Sequence, residues 1–113
     1  MIDVRYTDES GVLGVTVTGH ADAAPRGSDL YCAAVTALEY TLAQCVLNAR
    51  HALKGRPKIR LNEGDVVIKC RPKGKYRDRL KNTVDDITTG FDVLAHNFPD
   101  KVQFTVIDPR GKI

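Results

Sequence analysis

The feature that most constrains the fold is an apolar stripe in the second half of the chain. Apolar residues recur there at steps of three and four, namely at Tyr76, Leu80, Val84, Ile87, Phe91, Leu94 and Phe98. This spacing predicts a long amphipathic helix, and Pro99 predicts its end. A stripe of this length must be buried against a second layer, so the rest of the chain has to supply a matching apolar face.

Short alternating segments predict that the second layer is a β-sheet. Apolar and polar residues alternate with a period of two, which is typical of half-buried strands. These segments cover residues 2–6, 12–18, 59–61, 66–70 and 102–106. The stretches "TDESG" (7–11) and "NEG" (62–64) predict turns that join the first four strands into two hairpins.

A first helix is predicted between the two hairpins. Ser28 and Asp29 are both good N-caps, and Gly55 with Pro57 predicts the helix end. Its apolar face would contain Tyr31, Val35, Leu38, Leu42, Val46, Ala49 and Leu53. The resulting order, β-β-α-β-β-α-β, predicts an α+β fold of two layers. We expect one domain over residues 1–113, with two helices on one face of a mixed five-stranded sheet.

Composition narrows the class of protein. Hydrophobic residues make up 42% of the 113 residues, enough for a core without disulfide or metal staples. The sequence has no run of 18 apolar residues, so no transmembrane helix is predicted. The N-terminus lacks the pattern of a secretory signal. Three cysteines at irregular spacing argue against a disulfide framework. We therefore expect a reduced, cytoplasmic protein without membrane contact.

Positive charge is concentrated in one segment. Residues 69–81 carry a charge of +6 in a chain of net charge +3, which leaves −3 for all other residues. The segment is either a contact for RNA or an acidic partner, or simply a solvated face. Tyr76 is its only aromatic residue, so sequence-specific reading of RNA bases is not expected.

Two reactive side chains flank the loop between the second strand and the first helix. Cys32 falls in the first helical turn, where the helix dipole favours a thiolate and unpaired N–H groups could form an oxyanion hole. His20 ends the strand, and a short loop can leave it near Cys32. This pair has the chemistry of a nucleophile and its base. Asp29 could cap the helix or orient the imidazole.

Less reactive interpretations exist for the same residues. A buried cysteine commonly packs as a small apolar residue, which is how we interpret Cys45 and Cys70. Four side chains could in principle bind a metal ion, namely His20, Asp22, Asp29 and Cys32. Their spacing matches no zinc signature, so a metal site is not predicted.

Short motifs around the pair resemble a known family. Gly19-His20-Ala21, Gly27-Ser28-Asp29 and Cys32-Ala33-Ala34-Val35 resemble the motifs of the bacterial ribosomal-processing cysteine proteases, the Prp family, in order and separation. Chain length and element order are also similar. The resemblance implies a homodimeric cysteine endopeptidase that needs no cofactor and removes the N-terminal extension of a large-subunit ribosomal protein. His20 would be the base and Cys32 the nucleophile.

The resemblance also implies supporting roles. Asp29 would be the supporting acidic residue. Thr36 stands where the family usually has Ser. Threonine keeps the hydroxyl group, but its additional methyl group leaves less space around it. The loop that would close over the peptide consists of Ala21, Asp22, Ala23, Ala24, Pro25, Arg26 and Gly27. Its sequence differs from the Gly- and Tyr-containing loops of the family, which affects peptide specificity more than chemistry. The alternative function is a non-catalytic ribosome- or RNA-associated binding module that uses residues 69–81.

Overall fold

The computed structural model describes residues 1–21 and 29–108 of the chain. The predicted β-β-α-β-β-α-β order is confirmed. The elements are β1 (Ile2–Glu9), β2 (Val12–Thr18), α1 (Leu30–Asn48), β3 (Lys58–Asn62), β4 (Asp65–Cys70), α2 (Arg77–Asn97) and β5 (Val102–Ile107). Short 3-10 turns at Arg50–Ala52 and Gly74–Tyr76 follow α1 and precede α2.

The five strands form one mixed sheet in the order β3-β4-β2-β1-β5. All neighbours are antiparallel except β1 and β5, which run parallel. The turn predicted at residues 7–11 is shorter than expected, because Thr7, Asp8 and Glu9 belong to β1. Ser10 and Gly11 alone reverse the chain, with φ of 52° and 80°. Two residues of positive φ match the twist of a tight hairpin, so no longer turn is needed.

The register of the sheet collects the apolar residues on one face. Val4 pairs with Val17 and Tyr6 with Val15, and all four side chains are buried. Phe91 of α2 is fully buried in the same core cluster. The predicted arrangement is confirmed: two helices and a five-stranded mixed sheet form two layers.

The first helix ends earlier than the apolar periodicity predicted. α1 stops at Asn48, and Leu53 forms an isolated bridge with Pro72 instead of a helical turn. Ala49, Ala52 and Leu53 are nevertheless buried. These residues continue the apolar pattern because they pack in the core, although the backbone has already turned toward β3.

By length and composition alone, α1 is apolar enough to cross a membrane, as the core helix of a globular domain often is. Glu39 is its only charged residue. Val35, Leu42 and Val46 are buried within the core of the domain. One face of α1 therefore packs in the core of the domain.

Candidate active site

Asp29 fixes the beginning of α1. Its backbone is extended, and its side-chain Oδ1 accepts hydrogen bonds from the backbone N–H groups of Tyr31 at 2.9 Å and Cys32 at 3.1 Å. Of the two N-caps that the sequence allowed, Asp29 fills the position, while Ser28 lies outside the described residues. Cys32 is therefore held in the first turn of α1, as predicted.

The same hydrogen bonds correct one expectation. The sequence suggested that unpaired N–H groups at the helix start could form an oxyanion hole. The N–H groups of Tyr31 and Cys32 both donate to Asp29, and that of Ala33 donates to the Asp29 carbonyl at 3.0 Å. These three donors are thus already used in this conformation, because the cap satisfies them.

Two glycines determine where His20 lies. Gly19 has a φ of 86°, and a Cβ on it would collide with the Met1 carbonyl. Gly64, in the β3–β4 turn, has a φ of 71°, and a Cβ there would lie 2.7 Å from His20 Nε2. The imidazole therefore rests against the bare backbone of Gly64, a close approach that only glycine permits. The sequence signal for this contact was a glycine in a turn, which alone does not name its neighbour.

A cavity of about 550 Å³ joins the end of β2, the start of α1 and the β3–β4 turn. Four predicted site residues line it, namely His20, Asp29, Cys32 and Thr36. Their predicted catalytic and supporting roles remain predictions, but the fold brings the side chains to one place. The cavity is large enough for part of an extended peptide.

The predicted closing loop falls mostly outside the described residues. Ala21, at its start, is 5% exposed and packs in the core. Residues 22–27, that is Asp22, Ala23, Ala24, Pro25, Arg26 and Gly27, are not among those described. The role of this loop stays a prediction.

The cavity wall contains a buried carboxylate that sequence reasoning missed. Glu39 lies three residues after Thr36 and seven after Cys32, so all three share one face of α1. It is 7% exposed, and this burial raises the pKa of its carboxyl to about 7. The available signal was a glutamate inside the apolar stripe, between Val35 and Leu42.

The three cysteines are free and differ in exposure. Cys32 is partly exposed and lines the cavity. Cys70 is buried, as predicted, and burial raises the pKa of its thiol to about 11. Within residues 1–21 and 29–108, no group of three or more His, Cys, Asp or Glu side chains is arranged to hold a metal ion.

The basic segment is partly neutralised by the protein itself. Arg77 binds both oxygens of Asp8 at 2.7 Å, and Lys81 binds Asp85 at 2.7 Å. Lys73 donates to a backbone carbonyl at 2.9 Å. Other cations, including Lys69, Lys75 and Arg79, are exposed on the surface. The free charge of this segment is therefore lower than its sequence suggests.

Comparison with known proteins extends over nearly the whole chain. The family model of the cysteine protease Prp matches residues 1–103. A curated relative, the ribosomal processing cysteine protease Prp of Bacillus subtilis (strain 168), is 39% identical over 44 residues. That match covers 39% of this chain and 39% of the relative, so it spans well under half of either protein.

Solved structures share the fold. The essential ribosomal processing protease Prp from S. aureus, in complex with a covalently linked product peptide, superimposes with a TM-score of 0.72 at 18% identity. The same protein in complex with a substrate peptide gives a TM-score of 0.67 at 17% identity. Each match covers 95% of this chain and 100% of the other. At such identities, the similarity establishes the architecture.

Proposed function

This chain belongs to the cysteine protease Prp family, and on that premise we propose that it is a cytoplasmic endopeptidase that processes a ribosomal protein. Its substrate would be the N-terminal extension of a large-subunit ribosomal protein. The observation that carries this proposal is that Cys32, in the first turn of α1, and His20, at the end of β2, line one cavity. The family match favours a protease over a non-catalytic binding module.

The proposed reaction uses the two side chains in sequence. His20 takes the proton from the Cys32 thiol, and the thiolate sulfur attacks the scissile carbonyl carbon. The resulting tetrahedral intermediate collapses as the C–N bond breaks, and His20 returns the proton to the leaving amine. A thioester remains on Cys32. Water, deprotonated by His20, then attacks the thioester carbonyl and releases the acid product and the free thiol.

The surrounding residues would position this pair. The Asp29 cap fixes the first turn of α1 and with it Cys32, while Gly64 leaves the space that the His20 ring fills. The hydroxyl of Thr36, one turn after Cys32 on the cavity wall, is available to hydrogen-bond the peptide. Residues 21–27 would close over the bound peptide. Each step relies only on protein side chains and water.

The test compares cleavage of the ribosomal protein's N-terminal peptide by the wild type and by Cys32→Ala. We expect kcat to fall at least about a thousand-fold, because loss of a nucleophile removes the covalent route. His20→Ala should lose a similar factor. Cys45→Ala is the matched control, since Cys45 lies on the same helix outside the cavity. Equal cleavage by the wild type and Cys32→Ala would overturn the assignment.

Two further properties belong to the same proposal. A homodimer, implied by the family resemblance, would appear as twice the monomer mass in light scattering. A weak contact with ribosomal RNA would use the exposed cations Lys69, Lys75 and Arg79. Such a contact weakens as salt rises, because binding releases counterions. Ribosome affinity that does not change between low and high salt would exclude it.

A further inference from the structure

One buried side chain of the cavity has no part in the proposed cleavage. Glu39 is 93% buried and lines the cavity. No hydrogen bond or ion pair joins its carboxylate to any of the described residues. A buried, ionised carboxylate without a partner is costly, so such a group is normally paired or protonated. Glu39 is therefore either a neutral acid or a receptor for a group that comes from outside.

The charge of the cavity favours a cation as that group. Three carboxylates line it, those of Asp29, Glu39 and Glu63, and its described lining includes no Lys or Arg. Asp29 is already engaged as the helix cap. Glu63 lies in the exposed β3–β4 turn. Tyr40, which is 57% exposed, also lines the cavity and offers an aromatic face to a positive charge.

The distance from Cys32 indicates which part of a peptide would reach Glu39. Seven residues of helix separate the two, a rise of about 10 Å. An extended peptide advances about 3.3 Å per residue. A peptide attacked at Cys32 and laid along α1 would therefore place a side chain two or three residues from the scissile bond next to Glu39.

We propose that Glu39 is a specificity-determining residue that binds a Lys or Arg side chain of the substrate, two or three residues from the scissile bond. The proposal rests on the proposed peptidase function. The carboxylate would accept hydrogen bonds from the ammonium or guanidinium group, which supplies a positive charge that the described lining of the cavity lacks. Burial excludes water from this pair and makes it selective against neutral side chains of similar length.

Cleavage of matched peptides by the full-length protein tests the proposal. The peptides form six sets, one for each of the three positions on either side of the scissile bond. Within a set, the peptides differ only at that position, which carries Gln, Lys, Arg or Leu. We expect one position at which Lys or Arg raises kcat/KM at least about ten-fold over Gln, the size of one charge-assisted hydrogen bond. Glu39→Gln should lose this preference and cleave the Lys and Gln peptides with equal kcat/KM.

Two variants separate specificity from general damage. Glu39→Asp keeps the charge and should retain part of the preference for Lys. Glu9→Gln removes an exposed carboxylate at the opposite end of the sheet and should retain all of it. If Glu39→Gln keeps the wild-type preference, or if the wild type shows none at any position, Glu39 is not a specificity determinant.

Binding to Cys32→Ala distinguishes this failure from failure of the proposed function. Peptide affinity is measured by fluorescence anisotropy, with Glu39 present or replaced by Gln in the same Cys32→Ala background. A preference for the Lys peptide that requires Glu39, without cleavage by the wild type, would retain the binding site and reject the peptidase. Equal affinity for Lys and Gln peptides would reject the binding site even when cleavage occurs.

The preference should also depend on pH. The pKa of Glu39 is about 7, so its carboxyl is mostly neutral at pH 6 and mostly ionised at pH 8, whereas a substrate Lys stays charged throughout. Among residues 1–21 and 29–108, the other titratable groups that line the cavity are His20, Asp29, Cys32, Tyr40 and Glu63. Effects of pH on the cleavage step itself act on both peptides and cancel in their ratio. The Lys-to-Gln ratio of kcat/KM should rise between pH 6 and 8, and a flat ratio would contradict the proposal.

Discussion

Two buried carboxylates of the domain, Asp8 on β1 and Glu39 on α1, differ in whether a cation binds them in the part of the chain that the structure describes. Asp8, near the β1–β2 hairpin, is 8% exposed and is bound through both oxygens by Arg77 at 2.7 Å. Glu39 is 7% exposed and has no cation among the described residues that line its cavity. Similar burial therefore has opposite consequences for the two carboxylates. The Asp8 pair ties α2 to β1, whereas Glu39 makes the cavity end less stable and leaves a charge for a ligand to match.

Removing the cation of the paired end should have the largest effect on stability. In Arg77→Met, Asp8 stays buried but loses the guanidinium that binds both of its carboxylate oxygens, and the free energy of unfolding should fall by about 4 kcal/mol, as when one half of a buried ion pair is removed. Urea titration measures the change. The double variant Asp8→Asn, Arg77→Met removes both charges and should recover most of the loss. A loss below about 1 kcal/mol would place this pair with ordinary surface ion pairs.

Neutralising Glu39 should change stability in the opposite direction, because it should raise the free energy of unfolding. Folding raises the pKa of Glu39 from 4.5 to about 7, so the folded state holds this proton more tightly than the unfolded chain. The wild type therefore loses stability as pH rises from about 4.5 through 7, at 1.36 kcal/mol per unit. Glu39→Gln avoids that loss.

The stability difference between Glu39→Gln and the wild type should thus vary with pH. We expect almost none at pH 4 and up to about 3 kcal/mol in favour of the variant at pH 8. Unfolding by urea at both pH values measures it, with Glu9→Gln as the control. An equal difference at pH 4 and pH 8 would mean that Glu39 does not titrate inside the fold and would weaken the contrast with Asp8.

The sequence predicted the architecture well because the strand and helix periods are local properties. The steps of three and four from Tyr76 to Phe98, and the alternation in the strands, identify the elements without knowledge of their neighbours. The predicted end of α1 was wrong because apolar periodicity indicates burial and not helical backbone. Ala49, Ala52 and Leu53 are buried but lie beyond the end of the helix.

The site was predicted only where local chemistry sufficed. A helix start identifies Asp29 and Cys32, because capping depends on adjacent residues. The Asp8–Arg77 pair joins positions 69 residues apart, and the burial of Glu39 depends on the cavity that β2 and the β3–β4 turn complete. Such contacts exist only after the sheet has formed, so a single sequence gives no direct sign of them.

The smallest expected change in stability comes from replacing a turn glycine by alanine. It tests how closely the geometry of the cavity depends on Gly64. Gly64 and Gly55 have nearly the same backbone, with φ of 71° and 74°. Alanine at either position should cost about 1 kcal/mol of backbone strain. Only at Gly64 does the new Cβ meet His20, while at Gly55 it meets nothing within 4 Å. Because the His20 ring is only partly buried and can move aside, both variants should still unfold at similar urea concentrations.

Activity should separate these two glycine variants. In Gly64→Ala the imidazole must move, and a displaced base costs about a hundred-fold in kcat, whereas Gly55→Ala should cleave at the wild-type rate. Peptide cleavage assays on both proteins measure the difference. If both variants lose activity equally, backbone strain is the cause. If neither loses activity, the position of His20 against Gly64 has no role in catalysis, and the functional importance of this turn would reduce to joining two strands.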